Sequence, residues 1–139
     1  MYRIILGTDW VAMYGHPIYN YFHRSGSITT ASVSDKTFHF LEHTEPVWPY
    51  IREHHPAIAD QARYLRIRAL AYSALSIEVS GADTKERYSH IYRKCCAELR
   101  SHISYIFGSP FMSRKERLTN LLLAFGLYPV FRKVYHTFR

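Results

Sequence analysis

The sequence predicts a mainly α fold, a helical bundle of four to five helices with a short N-terminal β-strand or hairpin segment. Three observations predict it. Apolar residues recur at three- and four-residue spacing over residues 84–107, the stripe of an amphipathic helix. Ser113-Arg114-Lys115-Glu116 has the spacing of a capping box, in which serine and glutamate satisfy the orphan amides of a helix start. Residues 1–33 read differently from everything after them, as short β-prone runs separated by turns. The expected organisation is therefore a strand and loop segment over residues 1–33 and a helical subdomain over residues 34–139.

In the first segment Tyr2-Arg3-Ile4-Ile5-Leu6 and Trp10-Val11-Ala12-Met13-Tyr14 are β-prone, and Ile18-Tyr19-Asn20-Tyr21-Phe22 alternates with the period of a strand. Gly15-His16-Pro17 and Arg24-Ser25-Gly26 supply turns. A hairpin of this size is not stable alone and needs a sheet to join. An exposed strand edge tends to pair with another copy, so a homodimer through residues 1–33 is expected, by strand pairing or by packing of Ile4, Leu6, Trp10 and Tyr21, the alternative being a monomer whose helices fold back over these residues.

From Ser34, a plausible N-cap, the period becomes helical, with Phe38, Leu41, Trp48 and Ile51 roughly on one face and Pro46 and Pro49 as breaks or kinks. Pro56 suits the first turn of a long second helix that runs to about Val79 and is closed by Gly81. Its second half, Ala69-Leu70-Ala71-Tyr72-Ser73-Ala74-Leu75, is apolar nearly all round, which makes it the central helix. A third helix is expected over residues 84–107, with Gly108 after its end. The capping box opens a fourth that carries Leu118, Leu121, Leu122 and Phe125 and ends at Gly126. Pro129 starts a short fifth with Phe131, Val134 and Tyr135. The expected core is Leu65, Ala69, Tyr72, Ile91, Cys95, Leu99, Leu118 and Leu122.

A chain of 139 residues with 47% hydrophobic and 21% charged residues suits one folded core and excludes a disordered or disulfide-stapled class. Cys95 and Cys96 are adjacent, so on a helix their side chains diverge, which points to a reducing, cytoplasmic setting. The apolar stretch at Ile4 to Leu6 is too short for a signal peptide. The longest nearly apolar run, residues 121–131, falls short of the roughly 20 residues that span a bilayer. A net charge of +7 attracts anionic partners: lipid headgroups, phosphates or nucleic acid.

His39-Phe40-Leu41-Glu42-His43 matches the H-x-x-E-H pattern of inverted zinc peptidases, but a zinc site needs a third ligand that the sequence does not identify. The commoner reading is a solvated face, with Phe38 and Leu41 inward. Cys95 lies on the apolar stripe and reads as core, with Cys96 pointing elsewhere. Dinucleotide, Walker-type and hydrolase signatures are absent, as are D-x-D and the Glu-Asp dipeptide. No local motif can therefore assemble the carboxylates that hold a divalent ion and deprotonate an acceptor hydroxyl.

The most distinctive segment is Pro17-Ile18-Tyr19-Asn20-Tyr21-Phe22-His23-Arg24-Ser25-Gly26-Ser27-Ile28-Thr29-Thr30. It resembles PLYYYRQRPGSIT, which ends the catalytic domain of many bacterial family 2 glycosyltransferases that build capsules and exopolysaccharides. The match lies at Pro17, Tyr19, Tyr21, Arg24, Gly26, Ser27, Ile28 and Thr29. A Ser-Asp-Lys helix start and a basic, leucine-rich tail with a late Leu-Tyr-Pro also look like that family. The resemblance implies that residues 1–33 are a strand and loop remnant of the catalytic domain's edge, with residues 1–14 the strands after its catalytic acidic helix, that residues 34–139 are a helical C-terminal extension, and that the enzyme's nucleotide-sugar sheet, D-x-D metal motif and catalytic base lie outside this sequence. It also implies that His23 and Arg24 border the diphosphate or the acceptor. From the residues alone, Arg24 offers a bidentate fork for phosphate and His23 a donor of adjustable charge, and both equally suit a turn beside a strand.

Two functions follow. The first is the C-terminal helical portion of a glycosyltransferase of polysaccharide synthesis, without catalytic residues or cofactor of its own, partnered by a missing catalytic half that would use a nucleotide sugar and a divalent metal. The second is a non-enzymatic basic helical module that binds a partner protein or lies peripherally at the inner membrane face. In residues 113–139, six cations (Arg114, Lys115, Arg117, Arg132, Lys133, Arg139) stand against Glu116, a net of 6 − 1 = +5, among Phe125, Tyr128, Phe131, Tyr135 and Phe138. An ordinary packing helix with a charged outer face has the same look. Nucleic acid ranks below both, because no stacking motif or recognition helix accompanies the charge.

Overall fold

A computed structural model describes the backbone of residues 33–137 and the side chains of residues 33–132. Among these residues every regular element is helical and no strand occurs. The strand segment expected before Ser34 lies outside the described residues but for Val33, and so do His23, Arg24 and the surface expected to join two copies.

The described chain begins with a 3-10 turn, Asp35–Phe38, whose N-cap Ser34 is extended and donates its backbone N–H to Thr37 Oγ1 at 3.1 Å. Helix α1 (His39–Thr44) follows directly, and α2 (Val47–His54) starts after Pro46. Pro49 falls in the first turn of α2, where its missing N–H has no intrahelical acceptor to lose, so the helix runs on through it. A second 3-10 turn, Pro56–Ile58, feeds α3 (Ala59–Val79), which is about 30 Å long at 1.5 Å per residue. Beyond Gly81, held at φ 103°, come α4 (Ala82–Arg87), α5 (Ser89–Ser101) and α6 (Ile103–Gly108). The chain then forms α7 (Arg114–Ala124) and α8 (Tyr128–Thr137).

These segments are more numerous than the four to five helices the sequence predicts, chiefly because the helix expected over residues 84–107 is three. Its breaks fall at Tyr88 and His102, whose backbones leave the helical region at ψ 22° and ψ 10°. Neither break has a glycine or proline. Each instead sits at a residue tied to a distant segment. The Tyr88 hydroxyl donates to Asp35 at 3.0 Å and its ring packs on Phe38, while His102 Nδ1 accepts from Arg63 Nε at 3.3 Å.

Helix α3 is the spine, with α1, α2, α5 and α7 packed on it. The main core joins Ile67, Leu70 and Ala74 of α3 to Cys95 and Leu99 of α5, Ile106 of α6 and Leu123 of α7. Each fully buried leucine or isoleucine here contributes about 1.5–3 kcal/mol. Ala69, Cys95 and Leu99 are core residues as expected, and Ile91 packs half-buried at the core's edge.

Three expected core residues are exposed instead: Leu65, Tyr72 and Leu118. Leu122 is half-buried, and Asn120, Leu123 and Ala124 take the inward side of α7. Cys96, expected to point elsewhere, is buried beside Cys95. On α3 the cause lies in Arg66, which is 2% exposed. Its guanidinium donates to both Glu98 oxygens at 2.7 Å, to the Leu41 carbonyl at 2.6 Å and to Thr44 Oγ1 at 3.2 Å. A buried charge is tolerated only when paired and hydrogen-bonded, so this network fixes the rotation of α3 against α1 and α5.

The ends of α7 follow local rules. Ser113 Oγ accepts the Glu116 N–H at 3.2 Å while Glu116 Oε2 accepts the Ser113 N–H at 2.8 Å, the reciprocal pair that the sequence predicts. At the other end the Leu127 N–H reaches the Leu122 carbonyl and the Gly126 N–H reaches Leu123, a Schellman closure. It requires a left-handed residue, and Gly126 at φ 69° provides it.

Candidate functional site

Two of the apolar side chains displaced from the core, Tyr72 and Leu118, border neighbouring cavities of the helical unit. Lys115, Leu118, Thr119 and Leu122 recur at three- and four-residue spacing along α7, on the flank away from Leu123. Between this flank and the middle of α3 lies a cavity of about 260 Å³ lined by Tyr64, Arg68, Tyr72, Leu75, Lys115 and Thr119, among others. A second cavity, about 500 Å³, opens between α7, α8 and the end of α3, with Val79, Leu118, Leu122 and Phe131 as apolar wall and Lys115 and Arg132 as cations. Lys115 and Thr119 line both, so the two cavities adjoin along α7 as neighbouring parts of one grooved surface.

The groove's electrostatics are one-sided. Arg68, Lys115 and Arg132 are exposed at its margin. Its one acid, Glu116, is engaged: its carboxylate accepts the Ser113 N–H and hydroxyl and the Tyr64 hydroxyl at 3.0 Å. The Ser113 amide above all holds the Glu116 carboxyl below the usual carboxylate range. Burial, then the bond to Glu116, raises the Tyr64 phenol, which stays protonated as the donor. Arg132 NH1 lies 3.4 Å from the Glu78 carbonyl, which anchors α8 to the end of α3.

Of the cations that the sequence singles out, Arg114 is exposed but lines neither cavity, and Lys115 and Arg132 are part of the groove. Arg117 turns inward and donates to the Ser109 carbonyl at 2.7 Å, so it braces the loop before α7 instead of offering charge to a ligand. The Lys133 side chain lies outside the described residues. The sequence reading missed Arg68, Tyr72, Val79 and Thr119. The legible signal was the basic and apolar stripe on α7, which reads as core when the leucines are assigned inward.

The remaining candidates do not converge. His39 and His43 are exposed with ring centroids 6.5 Å apart, and among the described residues no group of three metal-capable side chains forms. Both cysteines are free and buried, and burial pushes the Cys95 thiol up to about 12. Among the described residues no helix is long and apolar enough to cross a membrane. No protein-family model, curated protein or solved structure matches the chain.

Proposed function

We propose that the helical unit is a non-enzymatic docking module that holds its protein peripherally on an anionic lipid surface. The groove supports this reading: Tyr72, Val79 and Leu118 stand open to solvent inside a margin of Arg68, Lys115 and Arg132. Apolar surface of this kind rimmed by polar groups marks an interaction site, and each cation near an anionic leaflet adds roughly 1 kcal/mol of attraction. Co-sedimentation with vesicles tests it. The full chain should bind phosphatidylglycerol-containing vesicles and not neutral ones, release them as salt rises, and lose most binding on Lys115→Glu with Arg132→Glu. Equal binding to neutral vesicles, or none to either, sinks the reading.

A second reading rests on Pro17, Tyr19, Tyr21, Arg24 and Gly26 to Thr29: the helical unit as the C-terminal portion of a polysaccharide-building glycosyltransferase, inactive alone. The two are compatible, since such an enzyme works near a membrane if its acceptor is there. A catalytic half supplied elsewhere would bring the nucleotide sugar, the metal-holding carboxylates and the base, with His23 and Arg24 beside them. Calorimetry of the chain alone with UDP- and GDP-linked sugars, with and without manganese, should show no binding. A saturable micromolar isotherm would overturn the view that this chain lacks the donor site.

A further inference from the structure

We propose that the groove takes the acyl chain of one anionic phospholipid, drawn partly out of the leaflet, with its phosphate between Lys115 and Arg132. The proposal deepens the docking reading above and rests on it. A flat electrostatic contact with a membrane needs no concavity, and here there is one. The larger cavity, about 500 Å³, falls in the size range of sites that enclose small molecules, and it adjoins the smaller one at Lys115 and Thr119.

The distribution of chemistry along the groove matches an amphiphile. Val79, Leu118 and Leu122 make a wall that suits a hydrocarbon chain, while Lys115 and Arg132 open onto the same cavity and suit a phosphate. Tyr72 and Leu75 add apolar lining to the adjoining cavity, which Arg68 also borders. A second copy of this chain fits less well, because a two-fold pairing would set this basic surface against itself. A soluble anion fits less well too, since it would leave the apolar wall uncovered.

The test uses the full chain and lysophosphatidylglycerol below its micelle-forming concentration, titrated in a calorimeter at about 0.15 M salt. Saturable binding of one lipid per chain is expected, with glycerol phosphate alone giving none. Thr119→Trp, which fills the junction of the two cavities, and Leu118→Asp, which charges the wall, should each weaken binding at least about tenfold. Circular dichroism and thermal melts identify any variant that fails to fold, and either folded variant suffices. Affinity unchanged in both variants overturns the proposal, as does absence of lipid binding by a chain that still sediments with anionic vesicles. The latter result leaves the docking reading intact. Lipid binding without vesicle adsorption supports the groove and removes the surface reading alone. A concentration-dependent dimer that excludes the lipid and is abolished by Thr119→Trp would make a second copy the occupant and overturn the proposal.

Discussion

The guanidinium of Arg66 grips the carboxylate of Glu98 through two bonds of 2.7 Å, from Nε to one oxygen and from a terminal nitrogen to the other. The pair is lopsided, with Arg66 2% exposed and Glu98 28%. Removing the acid strands a buried cation, whereas removing the cation leaves an acid that water can reach. Glu98→Ala should therefore cost about 3 kcal/mol, the low end for breaking a buried pair, and Arg66→Met well under half of that. Urea unfolding of both variants measures the order. A larger loss from Arg66→Met would show that its bonds to Leu41 and Thr44 outweigh the pair.

Below neutrality the stability should fall in two stages. Burial, reinforced by the Arg63 guanidinium, holds the His102 ring below its ordinary 6.5, with Arg66 and Glu98 also facing it. The unfolded chain then binds a proton that the folded chain refuses, so stability present above pH 6.5 is lost as pH drops toward the lowered value. The carboxyls of Glu116 and Glu45 are both held below 4.5, Glu116 by the Ser113 amide and Glu45 by Lys94, so their contribution persists above pH 4.5 and disappears below it. The difference between thermal melts of the wild type and His102→Gln should change as pH falls below 6.5. Parallel curves below that pH would mean that His102 ionises freely in the folded chain.

How far the sequence could be read divides along physical lines. Signals confined to a few neighbouring residues were legible: the Ser113 and Glu116 box, the Gly126 closure and the start of the long helix near Pro56 all depend on backbone groups within five residues. What was not legible depends on partners far along the chain. Arg66 faces inward because of Glu98, 32 residues on, and the helix breaks at Tyr88 and His102 coincide with bonds to Asp35 and Arg63. Where apolar residues encircle a helix, as in the second half of α3, spacing cannot say which side is covered. The groove was misread for that reason.

The cap itself gives a separate check. Ser113→Ala removes the acceptor for the Glu116 amide and should cost about 1 kcal/mol, while Ser113→Asp, also a good cap, should cost much less. The Tyr64 bond to Glu116 would persist in both, so the groove's lining should survive. Equal losses in the two variants would mean that the Ser113 hydroxyl acts through its own 2.8 Å bond to the Glu116 carboxylate and not as a cap.

Both thiols should be unreactive in the folded chain. Burial raises Cys95 to about 12 and raises Cys96 as well, so neither supplies thiolate near neutral pH, and neither is open to a reagent. A colorimetric thiol reagent should react slowly with native protein and promptly with two sulfhydryls once denaturant is added. Rapid reaction of one thiol under native conditions would reveal opening of α5 from α3.

The contrast between Leu118 and Leu123, five residues apart on one helix, bears directly on the groove. Leu123 is fully buried among α3, α5 and α6 residues, so Leu123→Ala should cost about 2–5 kcal/mol through lost transfer energy and the cavity left behind. Leu118 is 49% exposed, and Tyr72, also at the groove, is 56% exposed. Substituting either by serine removes little buried area and should change stability by no more than about 0.5–1 kcal/mol. Denaturant midpoints at constant slope measure these differences. If Leu118→Ser proved as costly as Leu123→Ala, Leu118 would belong to the core as its spacing first suggests, and the open groove would not exist in solution. If it is nearly neutral, the helix carries an exposed leucine that contributes little to folding, as the open groove requires.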